Sequence, residues 1–167
     1  MQACSEDLEA LTNVAPSQFK NVMRRFASTV CVITAGRELN LNGMTATAVC
    51  GVSAEPPSIL IVVNRENRSH ALIEKTRVFA VNILSSEQQG LALHFSSRPA
   101  APFASIAYRL GSTNAPILED CTGYLECVVD SQLKSGTHSI FVGRVVASGE
   151  TDRLPLGYRN GAFSACG

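Results

Sequence analysis

A chain of 167 residues, 46% hydrophobic and 17% charged, is long and apolar enough to bury the core of one domain and is not disordered in composition. Its 14 basic and 14 acidic side chains cancel, and Arg24-Arg25 is the only adjacent basic pair, so neither nucleic acid nor an anionic membrane is an expected partner. No apolar run approaches the ~20 residues of a membrane-spanning helix, and Met1–Ala15 carries Glu6, Asp7 and Glu9 without the basic start and apolar stretch of a secretory signal; the expected location is the cytoplasm.

Residues 1–15 read as a loose extension, leaving 16–167 as the single domain. A helix is expected from Ser17 to about Ala27, where Phe19, Val22, Met23 and Phe26 recur at helical spacing opposite Lys20, Arg24 and Arg25. Thr29–Thr34 is dense in β-branched residues and predicts a strand. Arg37–Gly43 reads as a hairpin loop and Met44–Val52 as one strand, ended by Glu55-Pro56-Pro57 because neither proline can donate to a ladder. Ser58–Asn64, a near-continuous Ile/Leu/Val run, predicts a buried strand.

A short helix is expected over Ser69–Lys75 with Ser69 as its cap, then a strand at Val78–Leu84. Ser85 and Gln88 have capping-box spacing ahead of a helix carrying Leu91, Leu93 and Phe95, and Ser96–Ala104 is a loop. Two long strands, Gly123–Leu133 and His138–Gly149, flank Lys134-Ser135-Gly136-Thr137 in a hairpin pattern, and the tail from Thr151 reads as irregular. Six or more short strands with few helices argue for a closed antiparallel barrel, and the absence of βαβ alternation argues against a doubly wound sheet.

The six cysteines form no CxxC pair and read as core fillers in a reducing compartment. The usual glycine-loop, GxSxG and HExxH motifs are absent, and His70, His94 and His138 are far apart in the chain, so no metal site is expected. Thr45 and Thr47 alternate with Met44, Ala46 and Ala48, which puts two hydroxyls on one face of a strand and small or apolar groups on the other. Spacing alone leaves two readings open: a solvent-facing threonine pair, or a wall for a planar ligand.

Three runs, Phe26–Thr34, Asn42–Ala48 and Val52–Pro57, resemble in order the flavin reductase-like family, the FMN-binding split barrels. Asn64 with Ser69, Phe79–Leu84 and His138–Val145 extend the resemblance to about Ser17–Tyr158. It implies a mainly β split barrel, Greek-key-like, with a few short flanking helices. It further implies a homodimeric NAD(P)H:flavin oxidoreductase that takes NADH or NADPH as hydride donor, binds FMN or FAD, and supplies reduced flavin to an oxygenase component. A flavoprotein passing electrons to a corrinoid or metal complex, and a non-catalytic flavin-binding split barrel, are the alternatives.

By the same resemblance, Met44, Thr45, Ala46 and Thr47 contact the flavin, and Thr47, Ser69, Asn64 and Arg65 serve its ribityl and phosphate part, with Arg65 or Arg68 adding charge. Asn82 needs a partner if buried, and main chain is favoured over flavin. His138 is the candidate catalytic residue, reaching the nicotinamide side, and stands in Gly136-Thr137-His138 where the family commonly has Gly-Asp-His. That departure removes a carboxylate partner for the imidazole. Tyr158 and Arg159 match a nicotinamide-binding tail in which Phe163 replaces a final aromatic hydroxyl.

Overall fold

The computed structural model describes residues 12–37 and 40–165. Helix α1 (Pro16–Met23) leads into a short strand β1 (Ser28–Thr29) and then β2 (Cys31–Arg37), β3 (Asn40–Ala46), β4 (Val49–Ala54) and β5 (Pro57–Asn64). Helix α2 (Arg68–Thr76), β6 (Val78–Ile83) and α3 (Gln89–Ser96) follow, then a small hairpin of β7 (Tyr108–Leu110) and β8 (Pro116–Leu118). Two long strands, β9 (Gly123–Ser135) and β10 (His138–Glu150), precede a terminal hairpin, β11 (Leu156–Arg159) and β12 (Ala162–Ala165).

Seven strands form one antiparallel sheet in the order β3-β2-β6-β9-β10-β5-β4. The sheet wraps one apolar core, to which alternate residues contribute: Cys31, Ile33 and Ala35 from β2, Ile59, Ile61 and Val63 from β5, Phe79 and Val81 from β6, and Phe141 from β10. Leu72 and Ile73 of α2 complete that core. A second cluster (Val30, Val32, Leu84, Ala92, Phe95, Leu118, Leu156) covers the outer face of β2 with α3 and the β8 and β11 segments. Gly43 permits this layer, because a Cβ there would meet the Phe95 ring at 2.5 Å.

The barrel is split rather than closed. Met44–Val52 is two strands, not one: Ala46 still pairs with Cys31 of β2, while Val49 pairs with Ile61 of β5. Thr47 and Ala48 cross between them, and the Val62 N–H donates to the Ala48 carbonyl at 3.1 Å. The expected loop over Arg37–Gly43 is mostly the ends of β2 and β3. Most of the 1–15 extension lies outside the described residues.

Other expectations change at element ends. α1 stops at Met23, short of the expected Ala27, and buries none of its residues. Ser69 does not cap α2; the Asn67 carboxamide accepts from the Ser69 N–H at 2.9 Å one turn-start earlier. The Ser85–Gln88 box is half present: Gln88 Oε1 accepts from the Ser85 N–H at 3.0 Å, but the helix begins only at Gln89. The tail is a hairpin, turning at Asn160-Gly161 with φ of 52° and 86°.

Candidate functional site

β3 is an edge strand, paired only with β2 among the described residues, so main-chain N–H and C=O groups along its other side have no ladder partner. Its side chains divide as the alternation requires. Met44 and Ala46 point into the core, and Thr45 and Thr47 point the other way. Thr45 Oγ1 donates to the Ala92 carbonyl of α3 at 2.6 Å, and Thr47 is exposed. Both line a cleft of about 350 Å³ walled by Val30, Ala92, Leu93, Ser96, Tyr158, Gly161 and Phe163.

The terminal hairpin builds the far wall. Tyr158 and Phe163 are ladder partners whose ring centroids lie 5.1 Å apart. Asn160 N–H donates to the Arg24 carbonyl at 3.0 Å, fixing the hairpin turn to the end of α1. Thr47 and Tyr158 also face a neighbouring cleft of about 450 Å³ with Lys20, Met23, Arg24 and Phe26. Arg159 lines a third, of about 530 Å³, with Ser28, Thr29 and Phe163. One threonine-bearing strand edge, an aromatic pair and three cations thus surround connected concavities, which suits a planar ring with a polar edge and a phosphate tail.

Asn64, Arg65 and His138 gather separately at the end of β5. His138 is the register partner of Asn64, and Asn64 lies about 6–7 Å along the strand from Val62, the residue bonded to Ala48. Asn64 Oδ1 accepts from the Glu66 N–H at 2.8 Å. Arg65 braces the β9–β10 turn, donating from Nη2 to the Gly136 carbonyl at 2.8 Å and from its main-chain N–H to the Thr137 carbonyl at 3.0 Å.

Two expected site residues turn inward. Ser69 is fully buried, its hydroxyl accepting from Asn42 Nδ2 at 2.7 Å. Asn82, also fully buried, donates to the Val32 carbonyl and to Thr34 Oγ1, each at 3.1 Å, and accepts from the Leu118 N–H at 2.8 Å. Its carboxamide ties β6 to β2 and β8, the main-chain role favoured from sequence. Burial also pushes the thiols of Cys31, Cys121 and Cys127 up to about 12, which makes them inert core groups.

A second buried polar set was not legible in the sequence. His70 Nε2 and Ser139 Oγ are 2.8 Å apart, the His70 ring stands edge-on to Phe141, and its Nδ1 lies 3.6 Å from Glu74 Oε2. Gln132 Nε2 donates to Glu74 Oε1 at 2.7 Å, and that bond, followed by the charge of His70, holds the Glu74 carboxyl below its usual value. Ser139 is fully buried, so this set anchors β10 to α2 and offers no nucleophile to a ligand.

Residues 23–167 match the family described as Flavin reductase like domain. The chain belongs to that family. Most of α1 precedes the matched segment, whereas the barrel and the terminal hairpin of this flavin reductase-like chain lie within it. The reductase component of 4-nitrophenol 4-monooxygenase/4-nitrocatechol 2-monooxygenase from Rhodococcus opacus is 37% identical over 147 residues, 88% of this chain and 79% of its own. The reductase component of the FADH(2)-dependent resorcinol hydroxylase from a Rhizobium species is 36% identical, over 95% of this chain and 93% of its own. The NADH:FAD oxidoreductase SgcE6 of Streptomyces globisporus, solved in complex with NAD and FAD fragments, superposes with a TM-score of 0.85 at 29% identity, covering 92% of this chain and 96% of that one.

Proposed function

We propose that this chain is an NAD(P)H:flavin oxidoreductase that transfers hydride from NADH or NADPH to FMN or FAD and supplies reduced flavin to a partner monooxygenase. The observation that carries this reading is the cleft shared by Thr45, Thr47, Tyr158 and Phe163 along the unpaired edge of β3. The two relatives at 37% and 36% identity, both reductase components, support it. When bound, the flavin would supply the redox chemistry as the acceptor of hydride from the nicotinamide nucleotide.

The protein's part is to bind, orient and exclude water. The main chain of Met44–Thr47 supplies donors and acceptors to the polar edge of the ring, while the side chains of Met44 and Ala46 hold that strand to the core. Thr47 adds an exposed hydroxyl; Thr45 keeps α3 seated at the cleft. Val30, Leu93, Tyr158 and Phe163 form an apolar wall. Asn64 and Arg65 serve the ribityl and phosphate part, Arg65 adding charge, Tyr158 and Arg159 bind the nicotinamide nucleotide, and His138 flanks the nicotinamide side. Ser69 and Asn82 act one layer behind, by holding α2 to β3 and β6 to β2.

Thr47→Leu fills the cleft without touching a described hydrogen bond. The dissociation constant for FMN and FAD, followed by quenching of flavin fluorescence, should rise at least about tenfold while far-ultraviolet circular dichroism is unchanged. Unchanged affinity in that variant, or no bleaching of flavin by NADH and NADPH under anaerobic conditions, overturns the proposal.

We further propose that the chain is a cytoplasmic homodimer. The buried free thiols suit a reducing compartment. On the sheet face turned away from the core, Leu60, Val62, Ile140 and Val142 stand side by side across β5 and β10, only half-buried, and Leu133 and Val52 beside them are 63% and 51% exposed. Apolar side chains packed this densely on an outer face support pairing with a second copy.

A further inference from the structure

The structure assigns to Thr137 the orientation of the His138 imidazole, a positioning role that rests on the proposed placement of His138 at the nicotinamide side. Thr137 Oγ1 and His138 Nδ1 share a hydrogen bond of 2.9 Å. A bond between neighbouring side chains orients a ring only if the backbone beneath both is fixed. Here it is fixed from three sides. Gly136, at φ 53°, takes the left-handed corner of a two-residue hairpin whose ladder closes at Ser135 and His138, so Thr137 itself needs no left-handed backbone. Arg65 holds both turn carbonyls, Gly136 through its guanidinium and Thr137 through its main-chain N–H. On the inner face, the next residue, Ser139, is fully buried and bonded to His70.

With Nδ1 engaged by the hydroxyl, Nε2 is the ring nitrogen left to face a ligand. A hydroxyl can donate or accept, so it fixes the ring without adding a charge. The ladder partners of His138, Asn64 on β5 and Ser135 on β9, are neutral. The charged groups at this sheet end are Arg65 and Lys134, one position from those partners, and Glu66, two positions from Asn64, together with Glu74 beneath Ser139 through His70 and Gln132. No carboxylate stands where Thr137 does. The threonine thereby supplies a hydrogen-bond partner to the ring where the departure from Gly-Asp-His removes a carboxylate.

The test compares Thr137→Val, Thr137→Ser and His138→Ala with the parent, singly and combined. Thr137→Val should lower kcat/KM for NADH by about three- to tenfold, the worth of one neutral hydrogen bond, with the flavin dissociation constant unchanged. Thr137→Ser should restore the parent value. In the His138→Ala background Thr137→Val should have no further effect, which a general loosening of the turn would not reproduce. The nitrogen-15 shift of His138 Nδ1 should be alike in the parent and in Thr137→Ser and should move in Thr137→Val, because that nitrogen loses its hydrogen-bond partner. Parent-like kcat/KM in Thr137→Val, or an Nδ1 shift that does not move, overturns the assignment. A parent protein that fails to oxidise NADH and NADPH with either flavin overturns the flavin reductase reading instead, and the Nδ1 comparison still decides for or against the Thr137 bond.

Discussion

The two halves of the sheet are finished differently. β2, β6 and the first half of β9 are covered on both faces: the core lies on one side, and α3, β8 and the Glu126–Thr113 contact close the other. β5 and β10 are covered on one face only, with Ile59, Ile61, Val63 and Phe141 inside and Leu60, Val62, Ile140 and Val142 half-exposed outside, and β4 at the sheet edge is exposed from Cys50 to Ala54. The difference separates stability from function. The proposed ligand groups lie on the border between the halves, at the β3 edge and the ends of β5 and β10, where the chain's own second layer stops.

Stability should therefore concentrate in the doubly covered half. Phe79 is fully buried there, and its ring packs so closely on β10 that a Cβ at Gly143 would lie 2.6 Å from it. Phe79→Ala removes that filling and should cost about 3–5 kcal/mol in chemical denaturation, the range for a buried aromatic cavity. A loss below about 1 kcal/mol would break the contrast between the halves.

Asn82→Ala probes the same half at lower stakes. It strands the buried Leu118 N–H and loosens β8 from the sheet, for an expected loss of about 1–3 kcal/mol. Flavin affinity should be nearly unchanged in the folded variant, because Asn82 holds strands together and has no exposed surface. If affinity falls by more than stability does, Asn82 belongs to the ligand site after all.

The two halves also differed in how well they could be read in advance. β2, β5 and β6 announce themselves through β-branched runs, and β9 and β10 through their length and the Lys134–Thr137 turn signal. The layer that covers the first half was harder. β7 and β8 are three residues each, too short for alternation to register. The terminal hairpin did carry an Asn160-Gly161 signal, the strongest short hairpin cue, but it was overshadowed by the prolines and glycines around it. The break at Thr47-Ala48 had no local marker, since both residues suit a strand; it follows from pairing with two different neighbours. Ser69 shows the same limit in the site itself. Its residue type fits a cap or a phosphate contact equally, and only the structure shows that Asn67 is the cap and that the Ser69 hydroxyl is buried against Asn42. In α1 the apolar spacing was legible, yet Phe19, Val22 and Met23 are 57%, 63% and 45% exposed. Periodicity reports that a face seeks a partner and cannot say whether that partner is in the same chain.

Ile140 and Phe141 put that last point to a direct test, because they are consecutive on β10 and face opposite ways. Phe141→Glu forces a charge into the core and should unfold the protein. Ile140→Glu places the same charge on the outer face between Val62 and Leu133, where a monomer can hydrate it, and should change the stability of the isolated chain by no more than about 0.5 kcal/mol. Across a paired interface the same carboxylate would be desolvated twice, once from each copy, so sedimentation should report a dimer for the parent and a monomer for Ile140→Glu. A variant that remains dimeric would place the contact elsewhere, with the exposed face of α1 as the remaining large apolar surface. A parent that is already monomeric would overturn the homodimer proposal.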